Sequence, residues 1–310
     1  MNAAVLQESH AVLAHHGRTF HLASHLLPLA RRNDAAVVYS FCRQVDDLAD
    51  EAPDAVVAHR ELAEVRAELD GKASPRPWVS AFLDVAERRG IDLRIAEILI
   101  EAVLGDLGVV RVMHDDELRR YCYGVAGTVG LMMCGVLGVR DPAALPRAVD
   151  LGLAMQITNI CRDVKEDAER GRVYLPADRL RRAGLEPSAL LTGDLSPEQR
   201  EALASVVSDL LALADTYYAS ADEGLRAIPM PARGAILVAS RVYQGIGTRL
   251  LTRHSGDCWH GRTVVPMGRR VSLALRSILR LGLPRYWPGT ISRPHHGLHG
   301  GLVGLPGLEA

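Results

Sequence analysis

The stretch Tyr39-Ser40-Phe41-Cys42-Arg43-Gln44-Val45-Asp46-Asp47-Leu48-Ala49-Asp50 closes a run, 35–50, in which Ala36, Val37, Phe41, Val45 and Leu48 recur near helical spacing. Asp46 and Asp50 are four residues apart, which on a helix is one turn along the same face, about 6 Å of rise. Arg43 stands four residues before Asp47 and three before Asp46, so base and acids share one broad polar stripe. Taken alone, such a stripe is an ordinary solvated helix face with a weak ion pair.

A second stretch changes that reading. In Gln156-Ile157-Thr158-Asn159-Ile160-Cys161-Arg162-Asp163-Val164-Lys165-Glu166-Asp167, the residues Asn159, Asp163 and Asp167 form a line at i, i+4 and i+8, with Arg162 beside it. Residues 151–160 are largely apolar, so the line emerges from a buried helix, where carboxylates are costly without cations or hydrogen bonds. Two Asp pairs facing each other across a cavity would hold Mg²⁺, a hard cation that takes oxygen ligands and is commonly shared with substrate phosphates. Arg side chains beside them would grip the same phosphates, which suits the departure of a diphosphate group.

Outward from these motifs the chain reads as all-α. Runs at 81–107 and 146–169 are amphipathic, and Gly171 with Pro176 beyond it closes the latter. Ser196 caps a helix with Pro197 in its first position, extending through Ala219 and Gly224. Another helix spans 232–253, while 71–77 and 184–196 read as loops too short to link domains. Alternating strand patterns are absent. From Cys258 to Leu308 there is no Asp or Glu, and Arg269, Arg276 and Arg280 share a helix face opposite Val271, Leu275 and Ile278. The expected organisation is one helical domain over 1–284, followed by a mobile Gly/Pro/His-rich tail over 285–310.

A formal net charge of −1 argues against a general nucleic-acid binder. Polar residues interrupt 1–25, which does not read as a signal peptide, and no stretch is apolar for the length of a membrane span. Five Cys without Cys-x-x-Cys spacing favour neither disulfides nor zinc, so a reducing cytoplasm is expected. His21 and His25, or His295, His296 and His299, lack the matching Cys or acidic partners of a transition-metal site.

Between the Asp motifs lies Tyr121-Cys122-Tyr123-Gly124-Val125-Ala126-Gly127-Thr128-Val129-Gly130, whose glycines recur every third residue. They bare one helix face, either for close helix packing or for the wall of a pocket. Together the three segments resemble the squalene/phytoene synthase family of head-to-head prenyl transferases. The resemblance runs roughly from Gly17 to Arg253, including Gly17-Arg18-Thr19-Phe20 and Ala239-Ser240-Arg241-Val242-Tyr243. It implies an isoprenoid-synthase helical domain with both Asp motifs facing a central cavity.

By that resemblance Asp46, Asp50, Asp163 and Asp167 coordinate Mg²⁺, with Mn²⁺ as a substitute, and Asn159 supports them. Arg43 and Arg162 bind diphosphate, as do Arg18 and Thr19 by position. Tyr121 lies near the reacting carbons, Val125, Ala126 and Val129 form the hydrocarbon wall, and Tyr39, Arg241 and Tyr243 are further substrate contacts. The implied substrates are prenyl diphosphates. The wording around 124–130 and 171–176 resembles the bacterial carotenoid branch, hence phytoene from two geranylgeranyl diphosphates. The alternative is dehydrosqualene, squalene or a presqualene or hydroxysqualene product from farnesyl diphosphate. No Gly-rich dinucleotide fingerprint follows a strand, so NADPH is not expected. A water-insoluble product makes peripheral contact of 269–280 with the inner face of a membrane a second reading of that basic stretch. A catalytically silent scaffold is the reading from another class, and the intact Asp quartet argues against it. Nothing in the sequence sets the oligomeric state.

Overall fold

The structure, a computed structural model, describes residues 2–291 and 296–309. The chain begins with α1 (Ala3–His16), α2 (Arg18–Ser24), α3 (Leu29–Asp50) and α4 (Ala55–Leu69). It continues through α5 (Pro77–Arg89), α6 (Leu93–Leu104), α7 (Asp115–Cys122), α8 (Thr128–Leu137) and α9 (Leu145–Glu169). The remaining α-helices are α10 (Ala177–Arg182), α11 (Pro197–Gly224), α12 (Ala232–His254) and α13 (Met267–Arg280). The only pairing of strand type among the described residues is an isolated bridge between Arg111 and Val173.

Local signals set the helix ends. At α11 the Gln199 amide donates to Ser196 Oγ at 3.3 Å and the Ser196 amide donates to Gln199 Oε1 at 2.9 Å, a reciprocal cap with Pro197 in the first turn. Gly171, at φ +76°, follows α9 as expected. The run expected to be continuous over 81–107 is broken. Gly90 takes φ +66° after α5, the Ile91 amide returns to Ala86 O at 2.9 Å, and Asp92 caps α6 through the Arg94 amide.

Helices α3 and α9 form the centre. Phe41 is fully buried and stacks on Phe82 of α5 with ring centroids 3.9 Å apart. Helix α9 packs along α11 and against α8 and α12. The glycine-rich segment forms a π turn, Tyr123–Gly127, between α7 and α8. Its glycines serve both expected purposes. A Cβ at Gly124 would lie 2.4 Å from Ala102 Cβ, and one at Gly130 2.5 Å from Ala148 O, so bare backbone is needed for packing. Val125, Ala126 and Val129 meanwhile face the cavity.

Gly152 on α9 is the tightest partner of this turn, since a Cβ there would sit 2.4 Å from Ala126 O and 2.7 Å from the Gly127 amide nitrogen. Backbone cannot yield as a flexible side chain would, so Gly152→Ala is expected to cost about 2–4 kcal/mol in urea unfolding. Gly268→Ala on α13, where a Cβ meets nothing within 4 Å, is the control and should be neutral or slightly stabilising.

The expected mobile tail is a correction, because residues 296–309 dock on the body. Tyr217 OH donates to Leu298 O and Tyr123 OH to Pro306 O, each at 2.8 Å. His299 lies 2.6 Å from the fully buried Asp150, and Leu302 is fully buried. Gly301, Gly304 and Gly307 take φ +71°, +90° and +78°, so the glycines make tight turns here instead of loosening the chain. His295 lies outside the described residues, and His21 and His25 meet edge to face at 4.7 Å on α2 and its C-terminal cap.

Candidate active site

An apolar cavity of about 320 Å³ runs between α2, α3, the π turn with α8, α9 and α12. Leu13, Leu27, Val125, Ala126, Val129, Met133 and Leu151 are among its walls. Its polar lining includes Tyr39, Arg43 and Asp46 from α3, Gln156 and Asn159 from α9, and Tyr243 from α12. Phe20 joins the two tyrosines, its ring 6.0 Å from Tyr39 and 5.3 Å from Tyr243. The small residues on the wall leave width for long hydrocarbon chains, and the lining offers few polar atoms to hold water.

Where α3 and α9 end, basic residues hold them together. Arg172 and Arg170, just past α9, reach Asp50 at 2.9 and 3.4 Å. The two Asp motifs therefore come together at their C-terminal ends. Arg43 pairs with Asp47 along α3. Arg162 grips its neighbour Asp163 through the Nε–Nη2 edge of its guanidinium, Nε at 2.7 Å, and Arg262 approaches the same carboxylate at 3.3 Å. Asp46 and Asp167 have carboxyls pushed up to about 7. Burial is the main cause at each, and the repulsion of Asp50 and Asp47 adds to it at Asp46, that of Asp163 at Asp167.

These carboxylates fit a hard cation, although among the described residues no three His, Cys, Asp or Glu side chains form a ready-made ligand group. The donor set is all oxygen, and the buried Asn159 Oδ1, in line with Asp163 and Asp167, has no hydrogen-bond partner. Raised, mutually repelling carboxyls are also what a divalent cation would relieve.

The raised values carry a sign. An unfolded Asp titrates near about 3.9, so between about pH 4 and 7 the native state binds more protons and its stability falls as pH rises. Without divalent cations, the melting temperature should therefore drop across that window. The Asp46→Asn/Asp167→Asn variant should show a flatter profile, and an unchanged slope would refute the assignment.

A second acidic centre lies outside the sequence motifs. Asp106 accepts hydrogen bonds from both Tyr121 OH and Tyr174 OH at 3.0 Å, and the two rings stack at 4.5 Å. Burial pushes Asp106 up to about 6 against the pull of those two phenols. The only trace of it was an acid between two glycines, Gly105-Asp106-Leu107-Gly108.

Of the residues singled out from sequence, Tyr39, Arg43, Asp46, Val125, Ala126, Val129, Asn159 and Tyr243 line the cavity. Asp50, Tyr121, Arg162, Asp163 and Asp167 are not on its wall; Asp50 lies where the two motifs meet, Asp163 is held by Arg162 and Arg262, and Tyr121 belongs to the Asp106 centre. Arg18 is exposed, and neither it nor Thr19 reaches the cavity wall. Arg241 turns away to Asp222 and to Tyr286 OH at 3.3 Å, tying α12 to α11 and to the segment after α13. Its role in this structure is an internal ion pair.

An all-α fold whose two Asp motifs meet beside an apolar cavity is that of an isoprenoid synthase. The chain belongs to the squalene/phytoene synthase family, whose description matches residues 13–269. It is 35% identical to a phytoene synthase of Pseudescherichia vulneris, over 87% of this chain and 90% of that protein. It is 38% identical to a 15-cis-phytoene synthase of Paracoccus sp. (strain N81106 / MBIC 01143), over 96% of this chain and all (100%) of that one. A solved dehydrosqualene synthase in complex with ligand superposes with a TM-score of 0.80 at 25% identity, covering 90% of this chain and 96% of the other.

Proposed function

We propose that the chain joins two geranylgeranyl diphosphates head to head, giving phytoene and releasing diphosphate. The observation that carries this reading is the apolar cavity bounded by Arg43, Asp46 and Asn159, in a chain whose relatives along most of its length are phytoene synthases. Mg²⁺, or Mn²⁺ in its place, would be held by Asp46, Asp50, Asp163 and Asp167 and would supply positive charge to the leaving diphosphate. Arg43 and Arg162 add donors to the same oxygens, exchanging Asp47 and Asp163 for phosphate. Val125, Ala126 and Val129 orient the hydrocarbon and keep water from the allylic cation. The double bond of the second substrate then meets that cation, and proton loss closes a cyclopropyl intermediate. By the family resemblance Tyr121, whose hydroxyl donates to Asp106, would act near the reacting carbons.

A second ionisation opens the ring, and a final proton loss leaves a central double bond. No hydride enters, so NADPH is not required. The farnesyl reading, with a dehydrosqualene-type product, is second and is favoured by the dehydrosqualene synthase among the fold neighbours. Diphosphate release from geranylgeranyl diphosphate, with and without chelator and with and without NADPH, tests the proposal. Release should need a divalent cation and ignore NADPH. No release under any condition would make the chain a silent scaffold, and a requirement for NADPH would overturn the redox-neutral reaction.

A further inference from the structure

Helix α13 carries apolar side chains on more than one face, and its packing uses one of them. Leu273, Ala274 and Leu281 pack towards the body with the buried Ser277, and Leu273 and Leu281 lie against Gly245 and Gly234 of α12. Arg270 joins this face, its Nε donating to Val265 O at 2.7 Å. The other apolar face, Met267, Val271, Leu275, Ile278 and Leu279, is left 44% to 80% exposed. Val264, Leu283 and Trp287 extend it on the flanking segments. Of the sixteen large hydrophobics exposed among the described residues, eight fall within 264–287, a concentration that scattered surface residues do not give.

The charge of this region is one-sided. Residues 258–308 hold seven Arg and no Asp or Glu. At 100° per residue, Arg269, Arg276 and Arg280 fall within about 40° of one another, across the helix from Val271 and Ile278 and adjoining the exposed apolar face only at Leu279. Among the described residues, the arginine ion pairs of this region are those of Arg262 with Asp163 and Glu166 and of Arg285 with Asp222. None involves Arg269, Arg276 or Arg280 among the described residues.

We propose that α13 docks in the plane of an anionic lipid bilayer, with Leu275, Ile278 and Leu279 at the acyl boundary and Arg269, Arg276 and Arg280 on the lipid phosphates. Charge complementarity selects this occupant. A second copy meeting the same face about a two-fold axis would set Arg against Arg with no acid between them, whereas a bilayer offers an apolar layer and anions together. No helix of the described residues is long and apolar enough to cross a membrane, so the contact is peripheral. Helix α13 lies on α12, whose Ala235, Ile236, Ala239 and Tyr243 line the cavity. Delivery of a hydrocarbon product along that path rests on the proposed reaction; the docking itself does not.

Flotation of the full chain, without substrate, with vesicles of phosphatidylcholine alone or mixed with phosphatidylglycerol tests the surface. The chain should float with the anionic vesicles only, and 1 M salt should release it as the Debye length contracts to about 3 Å. Arg276→Glu/Arg280→Glu should lower the partition coefficient by about tenfold or more. Leu275→Ser/Leu279→Ser should lower it as much while melting and diphosphate release stay unchanged, since both side chains are exposed. Absence of flotation by the unmodified chain, or binding unaffected by both variants, would overturn the proposal. A dimer dissolved by the leucine variant, without vesicle binding, would give the face to a second copy and overturn it equally.

Discussion

Asp46→Asn and Asp163→Asn are each expected to lower diphosphate release by about 10²–10³-fold while the helical fold stays intact. Asp46 lies on the cavity wall with its carboxyl raised to about 7, and Asp163 is held by Arg162 and Arg262 beside it. In the proposed mechanism, removing either negative charge would weaken the hold on a divalent cation. At Asp163 it would also leave Arg162 without the partner that places it before phosphate arrives. Stability need not fall with activity, because neutralising Asp46 relieves its burial and its repulsion from Asp50 and Asp47. Circular dichroism and thermal melting separate the two effects. Near-normal turnover in both variants would remove the carboxylates from the mechanism.

The second large effect is on substrate choice. Ala126 lines the cavity from the π turn, and the backbone behind it is held against Gly152, so that wall cannot retreat. In Ala126→Phe the added ring projects into a cavity of about 320 Å³ and shortens the space for hydrocarbon. Relative kcat/KM for geranylgeranyl over farnesyl diphosphate should fall by about tenfold or more, since each displaced methylene is worth roughly 1–3 kcal/mol in such a pocket. An equal loss for both substrates would mean that the ring perturbs the site in general and does not gauge chain length.

Much of this fold is local and therefore legible. Ser196, Pro197 and Gln199 write the start of α11 within four residues, and Gly171 writes the end of α9. The break at Gly90 was equally local, but apolar residues on either side kept the helical rhythm and masked the αL stop and the Asp92 cap. The tail misled for the opposite reason. Its glycines and prolines suggest looseness, and what orders it is distant: Asp150, Tyr217 and Tyr123.

The site divides in the same way. The shared face of each Asp motif follows from spacing, because a helix fixes which residues lie together, whereas the wall at 125–129 was implied by the family resemblance. Which Arg takes which carboxylate does not follow, and the pair of Arg241 with Asp222 leaves no trace in the sequence. Asp106 was hidden for the same reason, since its two tyrosines come from segments 15 and 68 residues away. On α13 the period separated arginines from apolar residues, but only the packing on Gly234 and Gly245 shows that the exposed apolar face is not the buried one.

The most direct test of the central claim is mass spectrometry of the hydrocarbon formed from an equimolar mixture of geranylgeranyl and farnesyl diphosphate with Mg²⁺ and no NADPH. The account predicts phytoene as the main product, with a double bond at the central linkage. Dehydrosqualene or squalene as the main product, or a presqualene alcohol, would contradict it.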